Sequence, residues 1–106
     1  MGKRLTTGPD AARSFVDETL AASGSTNWCE LRGRFNFTLS GVWGGTATIE
    51  RSFDGGTTAV PCTDAGAAVA FTANLSELLD AGDEDGVLYR VTWTRTSGSL
   101  RARLSQ

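Results

Sequence analysis

The sequence of 106 residues contains no histidine. It therefore lacks the side chain best suited to acid–base work near neutral pH, which is also the commonest metal ligand. Most nucleophile–base pairs need that side chain, so the chain is expected to be a non-enzyme with no cofactor. Cysteine is scarce as well: Cys29 and Cys62 are the two in the chain, and they do not form a C-x-x-C motif. A secreted scaffold of this size would carry more, so both are expected to be buried free thiols in a protein made in a reducing cytoplasm. No apolar run approaches the ~20 residues of a membrane helix, and no membrane partner is expected. The basic pair Lys3-Arg4 is not followed by an apolar stretch, so it does not read as a signal peptide. Gly2 and Thr6 fit a myristoylation pattern too short to carry weight.

What remains is the composition of one folded domain, 40% hydrophobic and 21% charged. The net charge of −2 hides a strong polarity. Residues 54–85 carry seven acids and no base, whereas residues 86–106 carry four arginines and no acid. Such polarity orients a protein on a charged partner without fixing its fold.

From residue 34 onward the hydrophobic period is two, the signature of half-buried strands. Phe35, Phe37 and Leu39 alternate with polar neighbours, as do Ala47 and Ile49 after the Gly41–Gly45 turn region. Arg51 shares parity with Ile49 and Phe53, which predicts a bulge or a strand end leaving the core. Asp54-Gly55-Gly56 signals a turn, and Pro61 restricts Thr57–Val60 to a short edge strand. Val69, Phe71, Ala73 and Leu75 alternate again, while Leu75–Leu79 also fits one helical turn in a crossover loop. Val87, Tyr89, Val91 and Trp93 face one way, and Leu100, Ala102 and Leu104 follow after Thr96-Ser97-Gly98. This predicts a two-stranded hairpin with one apolar and one basic face. Six to eight short strands predict an all-β, immunoglobulin-like antiparallel β-sandwich over residues 25–106. Residues 1–24 hold few large apolar groups and are expected to form an extended N-terminal arm that gains order against a partner subunit.

Five groups of residues are candidates for function. Ser52, Asp54, Gly56 and Thr58 match the Asp-box S-x-D-x-G-x-T-W, with Ala59 in the tryptophan position. That motif is a structural turn in which the carboxylate accepts backbone N–H bonds. Asp80, Asp83 and Asp85 around Gly82 and Gly86 are weak candidates for a cation, because hard cations want several oxygen ligands. The EF-hand spacing is absent, and no metal is expected. Tyr89 in Asp85-Gly86-Val87-Leu88-Tyr89 fits the approach to a tyrosine corner, a fold-locking device. Arg90, Arg101 and Arg103 are expected on the polar face of the hairpin, where an acidic protein surface or the chain's own acidic segment is the natural partner. Nucleic acid is not expected, given a pI of about 5.0 and no aromatic interleaved with these arginines on the expected polar face. Trp43 beside Gly44 and Gly45 is a candidate interface anchor, and Lys3, Arg4 and Arg13 give the arm its charge.

The run Gly33-Arg34-Phe35-Asn36-Phe37-Thr38-Leu39-Ser40-Gly41-Val42-Trp43-Gly44-Gly45-Thr46, followed by Thr48-Ile49-Glu50-Arg51-Ser52-Phe53-Asp54-Gly55-Gly56, resembles small virion proteins of tailed bacteriophages. Val87–Val91 and Leu100–Leu104 extend the resemblance, which covers about residues 25–106. It implies a virion structural protein assembled in the bacterial host cytoplasm. The first expectation is a capsid decoration (cement) protein on the capsid exterior, a homo-oligomer with a trimer favoured, bound to the major capsid protein. A tail, baseplate or fibre module is the alternative, and a glycan-binding module a more distant one.

Overall fold

The computed structural model describes residues 15–106. Its strands are β1 (Phe15–Leu20), β2 (Gly24–Ser25), β3 (Cys29–Glu30), β4 (Arg34–Ser40), β5 (Trp43–Ser52) and β6 (Val60–Pro61). They continue with β7 (Thr63–Asp64), β8 (Ala67–Ala68), β9 (Ala70–Phe71), β10 (Leu75–Asp80), β11 (Leu88–Gly98) and β12 (Leu100–Ser105). Among the described residues there is no helix. The fold is an all-β antiparallel sandwich, as expected.

One sheet has the order β1-β12-β4-β10; the other runs β2-β11-β5-β6, with β3 also on β11 and β9 also on β5. The small β7–β8 hairpin stands apart from both. The alternation read in the sequence determines which side chains enter the core. Phe35, Phe37 and Leu39 of β4 and Leu100, Ala102 and Leu104 of β12 are buried from one sheet. Ala47, Ile49, Tyr89, Val91 and Trp93 are buried from the other. Aromatic rings join the layers, Phe35 with Tyr89 at 6.0 Å and Phe37 edge-on to Phe71 at 5.1 Å.

Several expectations are corrected. The hairpin of β11 and β12 does not exist, because the chain crosses from one sheet to the other at Gly98–Ser99. Both strands point their apolar sides into the same core, so the sequence pattern is that of two strands facing each other across the sandwich. Leu75–Leu79 is a strand, β10, paired with β4 from Leu75↔Leu39 to Asp80↔Arg34. Residues 15–20 of the expected arm are a full sheet member, paired with β12 from Phe15↔Ser105 to Leu20↔Leu100. Among the described residues β-structure is thus already present at Phe15, ten residues before the expected boundary at 25. Residues 1–14 lie outside the described residues, and Lys3, Arg4 and Arg13 with them. No bulge occurs at Arg51, where β5 keeps register with β11 through Ser52; the other alternative holds, since the strand ends at Ser52 and Phe53 is exposed. The register shift lies between Arg95 and Ser97. Pro61 does sit on an edge strand, but that strand is Val60–Pro61 alone.

Candidate functional site

The predicted basic cluster divides between the two outer faces. Arg90 projects from β11, where its Nε donates to Glu50 Oε1 at 2.8 Å and its guanidinium stacks 4.3 Å from the Trp28 ring. Thr92 donates to the same Glu50 oxygen, so this side chain is held and its charge is matched. Arg101 and Arg103 project from β12 on the opposite face of the molecule. Alternate residues of a strand point to the same side, and the three arginines would share a face only if β11 and β12 were paired.

On the outer face of the four-stranded sheet, Asp17 of β1 sits between Arg101 and Arg103. Arg101 donates two hydrogen bonds to it, each 2.8 Å, and Arg103 donates one at 3.1 Å. The Arg101 hydrogen bond is the leading cause that pulls the Asp17 carboxyl down to about 2. Two guanidinium groups share a single carboxylate, which leaves one positive charge in excess. The exposed Phe15 ring lies 5.9 Å below the Arg103 guanidinium, and Leu78 of β10 exposes a second apolar group.

Trp43 is half-buried. Its ring meets Trp93 edge to face at 6.3 Å, and its Nε1 donates to Asn74 Oδ1 at 2.7 Å. Packing over the end of the sandwich engages much of the indole, and Val42 beside it is exposed.

The Asp-box residues form a turn, as expected. Ser52 Oγ accepts from the Gly56 amide, and Asp54 Oδ1 accepts from Ser52 Oγ and from the Thr58 amide. The Thr58 N–H is the main reason the Asp54 carboxyl falls to about 2. Tyr89 is buried and donates to the Ala81 carbonyl at 3.0 Å, locking the loop before β11 to the core. The acidic loop does not converge: Asp80 accepts from the Gly82 amide, and Asp85 pairs with Arg32. Among the described residues no three acidic or cysteine side chains come together as a metal site. Cys29 is a buried free thiol, pushed up to about 12 by burial. Cys62 is also free but only partly buried, because Pro61 and Thr63 beside it belong to edge strands.

Sequence reasoning missed a cleft of about 410 Å³ between the sheets, lined by Phe35, Phe71, Leu79 and Tyr89 among others. Arg51 of β5 and Glu77 of β10 are among its lining residues. The parity of Arg51 with Ile49 was the signal, since β5 continues straight and carries the arginine inward. No known protein family, curated protein or solved structure matches this chain.

Proposed function

We propose that this chain is a structural protein of a tailed-phage virion, and within it a capsid decoration protein that binds the outside of the shell. The resemblance carried by residues 33–56, 87–91 and 100–104 supports the class. One observation carries the contact chemistry: the outer face of the four-stranded sheet presents Arg101 and Arg103 around the single Asp17, beside exposed Phe15 and Leu78. An excess guanidinium next to exposed apolar groups suits an acidic patch on the major capsid protein. Many copies, as trimers in this reading, add stability to the assembled shell by mass action, because each binds the shell and not its dissociated parts. Lys3, Arg4 and Arg13 would add to the same contacts. No catalytic step and no cofactor belongs to this role.

Quantitative mass spectrometry of purified virions tests the reading. A copy number close to that of the major capsid protein is expected. A ratio of a few per cent or less would make the chain a tail, baseplate or fibre module instead, and complete absence would remove it from the virion. Shell binding by Arg103→Gln should fall with the fold intact, since Asp17 keeps its two hydrogen bonds from Arg101.

A further inference from the structure

We propose that the cleft between the two sheets is a binding site for a monocarboxylate carried on an apolar, aromatic-sized body, with Arg51 receiving the carboxylate. The inference stands apart from the virion role, since it uses the interior edge of the sandwich and not its outer face.

The cleft follows from where the strands stop. The edge strand β6 is two residues long, so the six-stranded sheet leaves its side of the sandwich open next to β10. The space of about 410 Å³ falls within the range of small-ligand sites, roughly 300–1,000 Å³. Phe35, Ile49, Phe71, Leu79 and Tyr89 supply apolar walls, and Phe35 and Tyr89 are themselves almost fully buried.

Arg51 supplies the polar end. Its Nε is buried and has no hydrogen-bond partner among the described residues, a state that native interiors avoid. The guanidinium carbon lies 5.2 Å from the Phe53 ring centroid, a cation–π contact that helps hold the charged head. A carboxylate can match the terminal N–H groups of a guanidinium with two parallel charge-assisted hydrogen bonds. The neighbouring Cys62 thiol is no competing anion, because burial pushes its pKa up. Glu77 and Asp80 line the cleft from β10, and both are exposed. Their charges, screened by water, oppose a dianion such as a phosphate monoester while leaving a single carboxylate tolerable. Glu77 takes an inward parity between Leu75 and Leu79, a placement that also discourages edge-to-edge pairing of β10.

Two sources carry this chemistry: a free aryl-alkyl acid, or the C-terminal residue of a peptide ending in an aromatic side chain. The test is an amide-proton NMR titration of the full chain with 4-phenylbutyrate, its neutral amide and 4-phenylbutylamine. A parallel titration uses acetyl-Gly-Gly-Phe with a free or an amidated end. The acids should shift residues 49–51, 62, 71, 79 and 89 saturably, with the neutral amides at least about tenfold weaker. Arg51→Met, which keeps the aliphatic stem, should abolish the difference between acid and amide, and Glu77→Gln should tighten the acids. A tighter fit of the free peptide acid than of phenylbutyrate would assign the site to chain ends, and the reverse to free acids. Equal titration by acid, amide and amine, or no shift with either acid, overturns the proposal. That comparison is made in the unaltered protein, so it decides even if Arg51→Met does not fold.

Discussion

Arg101 and Arg103 converge on Asp17, and Ser52 and the Thr58 amide converge on Asp54, so both carboxyls titrate near 2 instead of 3.8. A carboxyl whose pKa is lowered by folding favours the folded state above its unfolded pKa, and the contribution is lost as pH falls through the folded one. Thermal melts should therefore be flat from neutral pH to about 4 and decline between about 4 and 2. Asp17→Asn and Asp54→Asn together should flatten that decline, which a pH series of melting temperatures reads directly. Thiol labelling gives a second prediction at this scale: native protein should react with a maleimide at Cys62 before Cys29, and at both equally in denaturant. The fate of single residues was partly legible. Tyr89 and the Ser52–Thr58 turn follow from local spacing, because their partners lie within eight positions in the chain. Arg90 stacking on Trp28 was not, since the two meet only through the pairing of distant strands.

At the scale of elements, the turns that move the chain between sheets need glycine. Gly98 has φ +72, and a Cβ there would run into the Val42 carbonyl and the Trp43 backbone. Gly66 has φ +85 in the β7–β8 hairpin, with open space around it. Gly98→Ala should cost about 2–4 kcal/mol, combining strain with a backbone clash. Gly66→Ala should cost only about 1 kcal/mol, from the left-handed conformation alone. Chemical denaturation of the two variants separates the effects. Strand type was readable from the period of two, but strand pairing was not. An apolar-polar alternation on either side of a turn fits a hairpin and a sheet-to-sheet crossing equally well, and the second is what β11 and β12 adopt. The same ambiguity kept Leu75–Leu79 open between helical turn and strand until Leu39 and Phe35 supplied its register.

Considered whole, the molecule pairs strands that are far apart in the chain. β1 finds its partner in β12 at the other end of the described residues, and β4 sits between β12 and β10. Such pairings must close long loops before they yield contacts, so refolding is expected on the millisecond-to-second scale by stopped-flow Trp fluorescence. β12 is an interior strand of its sheet and β10 an edge, so Leu104→Ala should cost about 2–5 kcal/mol. Leu78→Ala on the outer side of β10 should stay within about 0.5 kcal/mol. The overall class was legible because composition and period act locally, whereas the cleft was not, since it arises where β6 ends beside β10.

The antiparallel register of β1 on β12 has a mechanical consequence. Phe15 lies opposite Ser105, so the chain enters and leaves this pair at the same end. The hydrogen bonds of an antiparallel pair run perpendicular to the strands. Tension applied between residue 15 and residue 105 would load those bonds one after another, like a zipper, and not all together in shear. Tethered by both ends, this sandwich should yield at low force by peeling β1; held by its broad sheet face, it would feel the same load spread across every strand.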